Sequence, residues 1–393
     1  MIGARTPPHL ATLVLLSGLA ALSMNVFLPS LPRMAEHFNV DYSTIQLSVS
    51  AYLAVSAGMQ LAAGPVSDLF GRRKVMLAAL IVFLIATAGT LLATSTAWFL
   101  VFRMLQSVVT SGFVISRAVV RDMVPGDRAA SMLGYVTMGM AIVPMVAPVF
   151  GGVLDEIFGW QANFVVMGVA GIAVFLICWF DMGETVRGGG LSLSAQLATY
   201  PTLIRSPLFW GYVAAATLGS GSFFAYLGGA PFVGKVVFHM TPSQVGYWFA
   251  APSIGYALGN FLSGQFAIRF GMQRMILTGA TVSSLALGTA LAFDLWGIEL
   301  PLIFFGAIAL VGLGNGLLLP SANAGMMSVD PDLAGTAAGL GSAMTVAGGA
   351  AFAALAGALL GPSTGALPLV ALMAGSAGAS LIVALTVLRR PRP

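Results

Sequence analysis

Few residues in this chain can do ionic or acid–base chemistry, and they fall in a handful of places. The densest is GPVSDLFGRRK, residues 64–74, where Asp68 lies among Arg72, Arg73 and Lys74 and between Gly64 and Gly71. An acid so placed can cap a helix N-terminus or pair with a base, and the glycines permit close helix approach and a tight turn. A second place is Arg103-Met-Leu-Gln106, an arginine within a long apolar run. Such an arginine is expensive in a membrane and marks a functional site, unless it lies near enough to the interface to snorkel out. A third is LSMNVFLPSLP, with Asn25 in the first apolar run. A carboxyl there could exchange a proton; an amide cannot titrate. The 13 acids (Asp155 and Glu156 among them) all map to loops or helix ends, and His37 and His239 read as solvated outer-loop residues. An intramembrane enzyme would need paired His, Asp or Ser groups at depth, and a self-contained ATP-driven pump a G-x-x-x-x-G-K-[ST] loop; the chain has neither. A receptor without transport stays open as an alternative, although nothing resembling a signalling domain is attached. The single cysteine, Cys178, allows no internal disulfide and no cysteine metal site.

The elements that position these groups are membrane helices. Of 393 residues, 8% are charged and 58% hydrophobic, and the mean hydropathy is +0.94. Soluble domains carry roughly 25% charged residues, so a soluble fold is excluded. Each crossing needs about 20 apolar residues. Apolar runs fall at 9–30, 46–66, 75–94, 98–118, 130–153 and 162–182, then at 208–229, 244–267, 275–293, 301–323, 333–360 and 366–388. The expectation is an all-α membrane protein of 12 transmembrane helices in two six-helix bundles with pseudo-two-fold symmetry. Residues 1–182 form the first bundle, 183–207 a polar cytoplasmic linker and 208–393 the second bundle. The first run resembles a signal peptide, but it continues through Met24–Phe27 and reads as a retained span. With both termini cytoplasmic, Arg33 and Lys235 are the two bases of 17 that face outward, and Arg103 stays within or at the edge of span 4. The bases never form a stripe, so nucleic acid is not a partner.

The halves also repeat. GPVSDLFGRRK after span 2 aligns with GQFAIRFGMQR, residues 264–274, after span 8. Gly64 matches Gly264, Gly71 matches Gly271, Lys74 matches Arg274, and Gln60 matches Asn260 in the same register. Parallel six-span repeats are the layout of one large transporter class, whose substrates bind between the halves.

At this point the sequence resembles the major facilitator superfamily, whose signature loop between spans 2 and 3 is similar to residues 64–74. The resemblance makes Gly64, Asp68, Gly71, Arg72, Arg73 and Lys74, with Arg121, a cytoplasmic gate. Asp68 is expected to latch onto Arg121 or onto the start of span 11 near Asp332–Gly335. Arg103-Met-Leu-Gln106-Ser107 resembles the arginine motif of drug–proton antiporters. Arg117-Ala-Val-Val-Arg121-Asp122 resembles the bicyclomycin/chloramphenicol-resistance (Bcr/CflA) branch. APVFGG at the end of span 5 is similar to the antiporter Gly-Pro-x-x-Gly-Gly motif, with Ala147 in place of the first glycine; Pro144, Pro148, Gly151 and Gly152 are its bending and close-packing residues.

The resemblance implies a transporter of the bacterial inner membrane, not an enzyme, working as a monomer. It would export drug-like small molecules of the phenicol or bicyclomycin type by alternating access. No cofactor or metal is expected; the proton gradient is the energy source, and membrane lipid the surrounding partner. In this fold spans 1, 2, 4, 5, 7, 8, 10 and 11 face the centre. They nominate Asn25, Tyr52, Gln60, Arg103, Gln106 and Tyr135, with Phe223, Phe224, Tyr226, Trp248, Asn260 and Asn315, as the substrate cavity. An aromatic cavity with few charges suits a neutral or mildly polar molecule. One departure stands against proton coupling: the branch usually has an aspartate where this chain has Asn25. Three accounts stay open. Asn25 is a substitution that mimics the protonated acid; or the protein is a facilitator or metabolite permease, or draws on another gradient; or protons pass through Asp155, Glu156 or His37.

Overall fold

The computed structural model describes residues 7–123, 126–186, 201–330, 333–361 and 364–386. Residues 187–200, most of the expected linker, therefore lie outside the described residues, as do Asp332 and the C-terminal arginines. Regular structure among the described residues is helical.

The first half comprises α1 (Leu10–Asn25), α2 (Leu31–Phe38), α3 (Tyr42–Phe70), α4 (Arg72–Leu92), α5 (Thr96–Gln106), α6 (Ser111–Met123), α7 (Gly126–Phe158) and α8 (Gln161–Asp181). The second comprises α9 (Pro207–Phe232), α10 (Pro242–Phe270), α11 (Met272–Leu295), α12 (Pro301–Met327), α13 (Ala334–Leu359) and α14 (Leu367–Thr386). Short 3₁₀ turns at Leu28–Ser30 and Ser107–Thr110 join α1 to α2 and α5 to α6. Each pair therefore counts as one crossing, and the described residues make twelve. Ten continuous helical stretches, Leu10–Phe38 and Thr96–Met123 among them, are long and apolar enough to cross a membrane. The long helices α7 and α10 complete the twelve.

The break between α1 and α2 follows from Pro29 and Pro32, which cannot donate to the helical ladder. The internal repeat has a backbone counterpart. Both α3 and α10 are 29 residues long, and each ends on a glycine, Gly71 or Gly271, with φ of +96° or +84°. That left-handed region is open to glycine at no steric cost, and α4 and α11 begin at the very next residue. The expected loop is thus shorter than its motif: residues 64–70 are helical, and the turn is Gly71 alone.

The two most extensive helix pairings between the halves are α3 with α13 and α7 with α10. Both seams rely on missing side chains. A Cβ added at Gly152 would overlap the Pro242 carbonyl oxygen, and one at Gly246 would overlap that of Pro148. Gly151 faces the other way, its backbone against Val26 of α1's C-cap. The glycines of APVFGG therefore let α7 press its backbone against both neighbours.

Candidate functional site: a central cavity and its two ends

A cavity of about 350 Å³ lies between the halves. Its wall draws on spans 1, 2, 4, 5, 7, 8, 10 and 11. The helical period sets which residues face it: Leu53, Ser56 and Gln60 on α3, and Thr110, Phe113 and Arg117 along span 4, each spaced three then four apart. From the second half come Phe223 and Phe224 of α9, Tyr256 of α10, Asn315 of α12, and Ser342 and Thr345 of α13. Asn25 stands on the wall, its amide donating to the Ala21 carbonyl at 2.8 Å. Asn315 presents a buried Oδ1 with no hydrogen-bond partner in the structure.

Five of the twelve nominated cavity residues line this space: Asn25, Gln60, Phe223, Phe224 and Asn315. The others stand elsewhere. Tyr135 is 52% exposed and outside the lining, and Asn260 lies just behind Tyr256, donating to its carbonyl at 2.8 Å. Tyr226 is fully buried, and Trp248 stacks on Phe305 with centroids 5.0 Å apart. Tyr52, Arg103 and Gln106 form a separate buried knot behind the wall.

In that knot the Arg103 guanidinium lies 4.3 Å from the Phe27 ring centroid and 4.0 Å from that of Tyr52. It donates to the Ser23 carbonyl at 2.7 Å, to Ser23 Oγ at 3.2 Å, to the Ser48 carbonyl at 3.3 Å and to Gln106 Oε1 at 2.8 Å. Gln106 in turn donates to Thr87 Oγ1 at 2.8 Å. Arginine suits this place because its planar fork satisfies several acceptors while its faces stack on rings. The side chain neither snorkels nor meets an acid; it ties span 4 to α1 and α3.

Contacts between the halves cluster at one end of the cavity. Tyr42 donates to the Gly228 carbonyl at 2.7 Å, and Gln46 to the Ala353 carbonyl at 2.6 Å. Glu156 accepts from Ser243 Oγ at 2.7 Å, and Lys235 pairs with Glu36. Asp155, the residue before Glu156, turns into its own half: its side chain is fully buried, with one oxygen 3.3 Å from Arg33 Nη1 and the other without a partner in the structure.

The signature cluster occupies the opposite end, and its pairing differs from expectation. Among the described residues Asp68 meets neither Arg121 nor the start of α13; it pairs with Arg72 at 2.8 Å. Arg72 is 8% exposed and reaches Asp122 at 2.5 Å and Ser67 Oγ at 3.1 Å. The single-residue turn explains this, since it sets Arg72 one helical turn beyond Asp68 and points it into the first half. Arg73 donates to the Trp179 carbonyl, and Glu184 accepts from the Arg72 backbone N–H. Arg121 lies instead beside Gly335, its Nη1 3.8 Å from where a Cβ would stand.

Residues 13–241 and 235–393 match the family described as Major Facilitator Superfamily. The chain belongs to that superfamily. It is 32% identical over 337 residues to a chloramphenicol resistance protein of Pseudomonas aeruginosa, covering 83% of this chain and 78% of that one. It is 27% identical over 378 residues to multidrug resistance protein D of Escherichia coli K12, covering 93% and 92%. It is 26% identical over 348 residues to a bicyclomycin resistance protein homolog of Haemophilus influenzae, covering 86% of each. A bacterial homolog of the human lysosomal transporter Spinster, solved inward-facing and unoccupied, superposes with a TM-score of 0.78 at 18% identity, covering 98% of each chain. The chain is thus a multi-pass membrane transporter related to drug-resistance proteins, and not an enzyme.

Several residues of this major facilitator site escape sequence reading. Gln46 and Tyr42 sit at the apolar margin of span 2 and read as boundary residues. Arg117 reads as one more cytoplasmic base, yet it stands on the cavity wall. The spacing Thr110, Phe113, Arg117 is the available signal.

Proposed function

We propose that this chain is a secondary active transporter of the bacterial inner membrane, exporting drug-like small molecules of the phenicol or bicyclomycin type by alternating access. The observation that carries this reading is the cavity between the halves, lined from eight spans and sealed at one end by contacts between the halves. The distribution of bases supports cytoplasmic termini, which makes the sealed end the outer one and this conformation closed outward. Rocking the halves about the cavity would break the Gln46 and Glu156 contacts and expose the site outward. The substrate is a small molecule held by aromatic and amide side chains, the working unit is one chain in lipid, and no cofactor enters the cycle.

The energy source divides this reading from a second. In the family a carboxyl in span 1 is the expected proton carrier, and here Asn25 takes that position. The described wall carries no acid at all. That favours a facilitator or permease for a dedicated metabolite, without proton coupling. Flux of chloramphenicol in proteoliposomes, with and without an imposed pH gradient, tests both readings on the unaltered protein and on Asn25→Asp. Gradient-driven flux in the Asn25→Asp variant alone supports an antiporter whose carrier is neutralised. Equilibration by both forms supports the facilitator. Gradient-driven flux with Asn25 in place moves the proton path to Asp155, Glu156 or His37.

A further inference from the structure

The cavity wall has a sign. Among the described lining residues Arg117 is the one that carries a charge; the rest are amides, hydroxyls, aromatics and aliphatics. Asn25 stands where the family's acid is expected, so the wall offers a fixed cation and no carboxylate to balance a second one. Arg117 is not hidden: it sits at cavity depth on α6 but remains solvent-accessible. Its electrostatic neighbours include Arg121, one turn along the same helix, and Tyr256, which comes from α10 in the opposite half and whose backbone carbonyl accepts from Asn260. A guanidinium and a phenol hydroxyl therefore face one space across the seam, and both can donate to an oxoanion. A short way along span 4, Phe113 joins Phe223 and Phe224 from α9 to make an apolar patch fit for a ring system.

Resting on the transport reading above, we propose that this cavity selects monoanionic aromatic amphiphiles, with the carboxylate or other oxoanion head at Arg117 and Tyr256, and rejects lipophilic cations. The physical case is one of desolvation. An ion that enters a space of this size loses most of its hydration, and only an opposite fixed charge repays that loss. An anion finds Arg117, whose fork matches a carboxylate in two hydrogen bonds. A cation of the same shape finds Arg117 repelling it and no acid elsewhere on the described wall. A neutral isostere loses less hydration and gains less, and so falls between the two. Because the two donors come from opposite halves, the same anion would bridge the halves and favour the conformation seen here.

Three probes of one shape separate these terms: biphenyl-4-carboxylate, biphenyl-4-carboxamide and biphenyl-4-carboxamidine, the last cationic at neutral pH. Equilibrium binding to the purified full chain in nanodiscs, measured at fixed salt, needs no transport. The expected order is carboxylate, then amide, then amidine, with at least about tenfold between the extremes, a modest demand for one charge-assisted pair. Arg117→Gln is expected to weaken the carboxylate about tenfold while leaving the amide within twofold. Arg117→Lys should retain most of the order, and Asn25→Asp should strengthen the amidine. Equal affinities, a preference for the amidine, no detectable carboxylate binding, or an Arg117→Gln loss shared equally by all three probes overturns the proposal. If the order holds while proteoliposome flux is absent, the transport reading fails and the anion site stands.

Discussion

Gln46 donates its side-chain N–H across the seam between the halves to the Ala353 carbonyl at 2.6 Å, and two glycines make room for it. A Cβ at Gly228 would lie 2.7 Å from Gln46 Nε2, and one at Gly357 would lie 2.6 Å from Gln46 Oε1. One amide is therefore clamped between α9 and α13 at the sealed end, and a longer side chain at either glycine would expel it.

The seal itself is testable at Gly152, where an added methyl would strike backbone and has nowhere to go. Gly152→Ala is expected to hold the outer end open. An Asn315→Cys reporter, in a Cys178→Ala background, would then be labelled several-fold faster by an impermeant maleimide applied from outside. Gly264→Ala is the control, because no atom lies within 4 Å of its added Cβ. It should leave labelling unchanged and stabilise α10 slightly, by about 0.4–1 kcal/mol.

Arg103 should matter more for stability than for substrate recognition. Arg103→Ala takes the donor from Gln106 Oε1 and from the Ser23 carbonyl in the last turn of α1, and empties the space between Phe27 and Tyr52. Each buried acceptor left unpaired costs about 1–3 kcal/mol, so a clear drop in melting temperature is expected. Arg103→Lys should recover only part of it, since an ammonium satisfies fewer of these acceptors and stacks less well. Equal melting of Arg103→Lys and the parent would contradict this account.

Melting can be followed without adding a probe. Cys178 is the one thiol of the chain and is fully buried in the folded protein. A thiol-reactive fluorogenic maleimide should stay dark on native protein and brighten in step with loss of helical circular dichroism. Reaction well below the melting range would show local opening of α8.

At the opposite end, Arg72 is the hub and Asp68 one spoke. Arg72→Ala should reduce transport most, since it leaves Asp68 and Asp122 facing one another without the cation between them. Asp122→Asn should come next and Asp68→Asn last, because Asp68 is the more exposed partner. Turnover at matched expression checks the order; a larger effect of Asp68→Asn than of Arg72→Ala would restore Asp68 as the principal latch.

The helices, their number and the internal repeat are legible in the sequence because hydropathy and glycine spacing are local signals. Gly71 and Gly271 stand in one register, and both carry the backbone turn. The faces of the helices are less legible. Tyr52, Gln106 and Tyr226 look like cavity residues by type and span, yet each turns into its own half: Tyr52 donates to Ser23 Oγ, Gln106 pairs with Arg103 and Thr87, and the Tyr226 ring packs among Phe249, Phe304 and Phe305. Arg117 is hard to place for a related reason: a base near a helix end reads as topology until the adjoining helices show what it faces. Asp68 invites a distant partner in the sequence although a nearer base lies one turn away.

The seams built from Gly152, Pro148, Gly246 and Pro242 carry a consequence for descent. Where backbone meets backbone, no side-chain identity is being read, so the closing surfaces make no demand on what lines the chamber between them. Mutations at Phe223, Ser342 or Thr345 can retune what is carried without disturbing how the halves meet. A lineage can thus change its cargo one wall residue at a time while keeping its gates, whereas the glycines themselves are left almost no freedom to drift.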